Sequence, residues 1–284
     1  MGQKHAGGDG ITMRKLCLLL ALTLLATGIF SVAGAEEARG DLTERFKDKI
    51  TVEHDGVGYG VRNRLTLLVL LGRADVGAGE QLGLISVIAV DDDEKLITPL
   101  QLDYRLAVQV EDGVALPIWQ ACAIFEQSMP PVQTPEESQK AMEALGEYIV
   151  GLLNAELPEP LLERYFVIDV EGLELIDGEP FIFEEEADVT DAVKGRLKQA
   201  KTYADEMSSK ELLDEMEALS DYIHTNIKSG QLVKIADKSE RYEVLRSLQA
   251  QGELRTDVNG AEMFYLDEDA WLDSLLAVFY KPVF

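Results

Sequence analysis

The sequence predicts an α/β domain, a layered mixed sheet covered by helices, and three observations carry that prediction. Residues Arg64–Gly72, Leu82–Val90 and Leu96–Leu102 are near-continuous apolar runs rather than alternating ones, as in strands buried on both faces. Helical signals, led by Thr134-Pro135-Glu136-Glu137, are interleaved with such runs. Strands and helices keep alternating to the C-terminus without a low-complexity break or an internal repeat, the order that lays helices over a sheet.

The elements follow in chain order. Arg14 and Lys15 precede an apolar run from Leu16 to Val32, and Ala33-Gly34-Ala35 then gives a small-x-small site followed by Glu36-Glu37. That is the layout of a secretory signal. Residues 1–35 are therefore expected to be a signal peptide or, if uncleaved, a signal anchor, because 17 mostly apolar residues approach the ~17–25 that span a bilayer. The polar, glycine-rich residues 36–60 read as a linker with a short helix, and residues 61–284 as a single domain. Within it Arg64–Gly72, Leu82–Val90, Leu96–Leu102 and Leu106–Val110 are strands, with a turn at Asp91–Lys95. Val114–Gln127 has helical spacing, with Pro117 near its first turn. Thr134 and Glu137 form a capping box around Pro135 for a helix reaching about Asn154. Arg164–Val170 and Phe181–Phe183 read as strands. Val189–Asp205 and Ser208–Thr225 read as helices, the second with its own capping box, and Leu232–Lys238 as a short helix. Tyr242–Leu248 and Met263–Leu266 close the strand set before an amphipathic helix over Asp269–Tyr280.

Charge narrows the function. The chain has a formal charge of -26; three basic residues and one acidic residue lie in the leader, which leaves 23 basic and 51 acidic residues, or -28. Such a surface repels nucleic acid and anionic headgroups. The acidic runs Asp91-Asp92-Asp93-Glu94 and Glu184-Glu185-Glu186 read as solvated turns, since adjacent carboxylates do not converge on one ion. Only Cys122 follows the leader, so no internal disulfide is available there, and its Ala121-Cys122-Ala123 setting is that of a small core residue. His54 and His224 lie far apart, and GxSxG, HExxH, CxxC and GxxxxGK[ST] patterns are absent. Gly77-Ala78-Gly79-Glu80-Gln81-Leu82-Gly83 precedes a strand rather than a helix and is a loop, not a dinucleotide fingerprint. Composition and spacing alone stop at an exported α/β domain.

The serial order of segments carries a resemblance. Leu70-Leu71-Gly72 ends the first strand, Leu84–Asp91 is a strand with a terminal aspartate, and Leu96–Arg105 is the next strand and its exit. Tyr165-Phe166-Val167-Ile168-Asp169 follows the Glu143 helix, His224-Thr225-Asn226-Ile227 precedes a short helix, and Phe264-Tyr265-Leu266-Asp267 leads the last helix. In this order, over about 220 residues, the chain resembles the LytR-CpsA-Psr family of Gram-positive cell envelopes, as a divergent member. The resemblance implies the family's layered α/β fold and an activity that moves a polyprenyl-pyrophosphate-linked glycopolymer onto peptidoglycan. Arginines would hold the pyrophosphate, aspartates a divalent cation, Mg²⁺ or Mn²⁺, and an apolar cleft the lipid. A pyrophosphate leaving group develops charge that arginine forks and a metal would stabilise.

Carried onto this sequence, the catalytic roles fall to Arg105 and Asp75, ligand binding to Arg73, Asp103 and Tyr104, and the metal to Asp75. The chain departs from the pattern at these places. Gln81-Leu82-Gly83 stands where the family shows Arg-Ser-Asp, Asp103-Tyr104-Arg105 where it shows Pro-Arg-Asp, and the later arginine-rich strand has no counterpart. Three readings follow. The first is an extracytoplasmic cell-envelope protein, secreted or anchored, with a degenerate transferase site and a binding or regulatory role; the enzyme question leans to no. The second is an active phosphotransferase, and the third an acidic secreted scaffold without ligand. The partners implied are a polyprenyl-phosphate lipid or cell-wall glycopolymer, and a membrane through the N-terminal segment if it is uncleaved. Any phosphate site is expected at the C-terminal ends of the first strands, where Arg73, Asp75 and Arg105 would approach one another. An apolar tunnel meeting converging arginines would favour the transferase, a tunnel without them lipid binding, and a filled core without a tunnel the scaffold.

Overall fold

The computed structural model describes residues 51–283 except 77–79, 111–113, 132–133, 185–187, 207–218, 220–221, 229–230, 232–237, 239–240 and 258–259. The leader, the Gly77–Gly79 loop, the Ser208 capping box and nearly all of the helix expected at Leu232–Lys238 lie outside the described residues. No helix among the described residues is long and apolar enough to cross a membrane.

The centre is a mixed sheet. Strands β3 (Leu65–Asp75), β4 (Glu80–Asp91) and β5 (Leu96–Leu102) form an antiparallel meander. Beside β3, β8 (Tyr165–Asp169) runs parallel, and β9 (Ile223–Thr225) pairs antiparallel with β8. On the other side the short β10 (Glu243–Val244) and β11 (Leu248–Gln249) both pair parallel with β5. The apolar runs are continuous because both faces are covered. Leu67, Val69 and Leu71 pack beneath α1 (Ile118–Ser128), α2 (Pro135–Ala155) and α5 (Glu268–Val278). Leu68 and Leu70 pack on the other face with Val193 and Leu197 of α4 (Val189–Glu206). Each such side chain contributes about 1.5–3 kcal/mol on burial.

Local chemistry sets the ends of these elements. Thr134 accepts from Glu137 N–H at 3.2 Å while the Glu137 carboxylate accepts from Thr134 N–H at 3.0 Å, the capping box expected for α2. The acidic run after β4 is a turn. Asp91 Oδ1 accepts the N–H groups of Asp93 and Glu94, Asp92 pairs with Lys238, and Asp93 pairs with Arg64. The carboxylates of Asp91, Asp92 and Asp93 thus have separate partners, and among the described residues no group of His, Cys, Asp and Glu is arranged to hold a metal ion. Pro99 explains why the edge strand is broken. Ile97 and Gln101 carbonyls accept from Leu245 and Ala250, so Pro99 turns the same side toward that edge but has no N–H to offer.

Several elements differ from the sequence reading. Part of the expected linker is folded: β1 (Val52–His54) and β2 (Val57–Val61) form a hairpin, and β2 also pairs with β14 (Tyr280–Pro282) at the far end of the chain. Its turn is Asp55-Gly56, both at positive φ, a strong two-residue hairpin signal masked by the linker-like Gly58 and Gly60. Leu106–Val110 narrows to β6 (Ala107–Gln109), and β7 (Ala115–Pro117) pairs with it where a helix was expected to have begun; α1 starts only after Pro117. Phe181–Phe183 has no strand partner. Its alternation is real, with both phenylalanines on the core and Ile182 76% exposed, but it belongs to a coil. The helix expected to end at Thr225 ends instead as β9. The Tyr242–Leu248 strand is split in two at the Pro99 position. An unforeseen β12 (Gly252–Thr256) makes a hairpin with β13 (Glu262–Leu266).

Candidate functional site

Strands β3, β5 and β8 are mutually parallel, so their C-terminal ends share one edge of the sheet. Arg73, Asp75, Asp103, Tyr104, Arg105 and Asp169 all lie at or just beyond that edge. The edge does not bring the sequence-derived residues into one site.

Arg73 turns inward under α1 and α2 and is 3% exposed. Its Nη2 donates to Glu126 Oε1 at 2.8 Å, its Nη1 lies 3.4 Å from Asp169 Oδ1, and Nη1 also donates to Met142 Sδ at 3.0 Å. His224 Nε2 sits 3.9 Å from the other oxygen of Asp169. Cys122 is buried close by, and burial first, then the Glu126 charge, pushes its thiol up to about 12. The motif-like Thr225-Asn226 brackets the strand that carries Asp169. Thr225 Oγ1 donates to Tyr165 O at 2.6 Å, and Asn226 accepts from Tyr165 N–H and donates to Glu163 O.

Arg105 sits elsewhere on the edge, against the β12–β13 hairpin. Its Nε and Nη2 fork onto the two oxygens of Asp103 at 2.9 Å each, and Nη1 reaches Glu262 at 3.3 Å. The guanidinium lies over the Tyr104 ring, 5.1 Å from its centroid. The hydrogen bonds that Arg105 donates to Asp103 hold its pKa above the usual range, and burial raises that of Tyr104. Asp75 is exposed at the tip of β3, where its N–H is held by Glu171. Arg73 and Arg105 therefore draw on different carboxylates, Glu126 and Asp169 for the first and Asp103 and Glu262 for the second.

Helix α4 occupies the place where the resemblance puts a strand aspartate. A β-bulge between Gly72 and Arg73 leaves Gly83 without a partner in the ladder. A Cβ on Gly83 would stand 2.5 Å from Val189 Cγ1, and one on Gly72 would stand 2.7 Å from Val193 Cγ1. Thr190 Oγ1 donates to Gly83 O at 2.6 Å, seating the helix on the bulge. On the opposite face lies the apolar layer beneath α1, α2 and α5. Among Val87, Leu102, Leu106, Leu153, Trp271 and Phe279 the space left is about 10 Å³, room for one water-sized sphere.

Glu126, Asp169 and His224 were missed as members of an ionic cluster. Asp169 closes the Tyr165–Asp169 strand and was visible as a strand end, but nothing in the sequence marks Glu126, 53 positions from Arg73, as its partner.

No protein-family model and no curated protein matches the sequence. Solved structures do. A transcriptional regulator from Enterococcus faecalis superposes with a TM-score of 0.51 at 15% identity, over 75% of this chain and 86% of that one. TagT of Bacillus subtilis, solved bound to LI-WTA, superposes with a TM-score of 0.50 at 9% identity, over 76% of this chain and 90% of that one. At such identities the likeness speaks for architecture, and it agrees with the element order that the sequence resembled: the chain has the layered α/β fold of the LytR-CpsA-Psr proteins.

Proposed function

We propose that the chain is an extracytoplasmic cell-envelope protein that keeps the LytR-CpsA-Psr fold, lacks a working transferase site and acts by binding. The observation that carries the reading is the pairing of Arg73 and Arg105, each with two carboxylates of its own chain. A pyrophosphate arriving there would meet guanidinium groups already engaged by carboxylates, inside a chain of -26, not a positive focus. The seating of Val189 against Gly83 supports the same reading, because it takes the room a metal-binding carboxylate would need. Export rests on the leader and is part of the proposal.

The test is incubation of the purified chain with a polyprenyl-pyrophosphate analogue and Mg²⁺ or Mn²⁺, scoring cleavage of the pyrophosphate bond. The expected result is no cleavage above the uncatalysed rate. Turnover that disappears in Arg105→Ala would establish the transferase reading instead.

A further inference from the structure

Strand β12 (Gly252–Thr256) is open along its outer side. Its five residues are all exposed, and β13 is its one ladder partner among the described residues. The far side of β13 is taken, because Phe264 N–H donates to Arg105 O at 2.8 Å. Elsewhere among the described residues the outermost strands β1, β6, β7, β9, β10, β11 and β14 have only two or three residues each. A strand edge of this length is a template for pairing with another chain unless something guards it.

Hydrogen bonds at the two ends of the hairpin fix which backbone groups face out. Asp267 N–H donates to Gln251 O at 3.0 Å, and Asp257 N–H donates to Ala261 O at 2.9 Å. Both pairs continue the ladder register, so positions 251, 253, 255 and 257 are the ones that bond toward β13. The N–H and C=O groups of Gly252, Leu254 and Thr256 therefore point away from β13, and among the described residues no backbone group bonds to them. The side chains of this edge are self-complementary. Glu253 and Arg255 flank Leu254 on one face, the Arg255 guanidinium beside Glu253 and 4.8 Å from the centroid of the Tyr265 ring. A second copy turned about a two-fold axis through Leu254 sets its Arg255 opposite Glu253 and its Glu253 opposite Arg255. The four charges then alternate around the axis. In that same register Leu254 meets Leu254 and Gly252 meets Thr256, and these are the positions whose backbone groups already point outward, ready to form hydrogen-bonded pairs. A parallel copy in register would instead set like charges side by side.

We propose that β12 is a homodimerisation edge, pairing antiparallel with β12 of a second copy to make a four-stranded sheet across a two-fold axis. Two five-residue strands bury less than the about 1,200 Å² of stable complexes, and two chains of -26 repel one another, so the dimer is reversible and weaker than about micromolar. Its test is independent of the pyrophosphate assay. Sedimentation equilibrium of the purified chain, from about 10 to 500 µM at about 0.15 M salt, should show the mean mass rising toward twice that of the monomer. Leu254→Pro removes the N–H at the axis and no bond to β13, so it should keep the hairpin and stay monomeric. Glu253→Arg and Arg255→Glu each set like charges across the axis and should weaken association about fivefold or more. An equimolar mixture of those two variants sets unlike charges across both pairs and should associate about as tightly as the parent. Circular dichroism selects the variants that keep the fold, and the two charge variants decide the matter if the proline does not fold. A parent that stays monomeric throughout would leave the edge to a strand of another protein and overturn the proposal. Association indifferent to every folded variant, or a mixture that associates no better than its two components, would overturn it as well.

Discussion

Replacing Arg73 by Met separates a structural arginine from one held ready for a ligand. Arg73 is 3% exposed and its guanidinium is shared by Glu126 at 2.8 Å and Asp169 at 3.4 Å. Methionine keeps much of the volume and removes the charge, which leaves Asp169 buried beside Glu126 with its cation gone. Breaking a buried pair from one side costs about 3–5 kcal/mol, mostly the penalty of the carboxylate left behind. For a chain of this size that corresponds to a fall of roughly 6–20 °C in Tm. Urea denaturation at pH 7 followed by far-UV circular dichroism measures it. The double variant Arg73→Met/Asp169→Leu should recover a large part of the loss, because removing both charges together removes the orphan. A ligand-binding arginine behaves in the opposite way, since sites kept for function are strained and their loss is neutral or stabilising. An Arg73→Met protein within about 0.5 kcal/mol of the parent, or more stable than it, would refute the reasoning.

Other outcomes follow from the same structure. Gly83→Asp, which places a carboxylate at the bulge, should destabilise by about 1–3 kcal/mol through the clash with Val189, read by the same denaturation. Burial pushes the Tyr165 and Tyr280 phenols up to about 12 from 10.0, so the unfolded chain releases these protons first. Their contribution is complete below pH 10 and is lost between pH 10 and 12, at about 1.4 kcal/mol per pH unit for each group. Tyr280→Phe should make that alkaline loss shallower at no cost near pH 7, because the Tyr280 hydroxyl is buried without a hydrogen-bond partner among the described residues. Cys122, buried and with its thiol at about 12, should resist a thiol-reactive chromophore at pH 8 until the chain is unfolded. Asn226→Ala should cost about 1–3 kcal/mol by leaving Tyr165 N–H and Glu163 O without their bracket.

Those predictions draw on features of unequal legibility. Strands β3 to β5 could be read from sequence because burial on both faces leaves an uninterrupted apolar run, and α2 because its capping box is a local signal of four residues. The β1–β2 hairpin was equally local in Asp55-Gly56, yet the alternating glycines beside it imitate a linker. The Pro99 break was also written in the sequence, but its effect appears only once β10 and β11 are known to lie on that side of β5. The site was the least legible. Arg73 and Arg105 read as strand-end cations, and whether such a cation serves a ligand depends on residues that arrive from α1, β8 and the β12–β13 hairpin. In the same way, Gly83 reveals why it must be glycine only when α4 is seen lying on it.

The central claim is that the arginines at this sheet edge are held by the chain's own carboxylates and offer no positive focus to a pyrophosphate. Calorimetric titration of the purified chain with inorganic pyrophosphate, with and without Mg²⁺, addresses it most directly. The account predicts no saturable heat up to millimolar ligand, about the weakest affinity that such a titration resolves, and the same flat trace for Arg105→Ala. Saturable binding in the micromolar range that requires Mg²⁺ and vanishes in Arg105→Ala would contradict it.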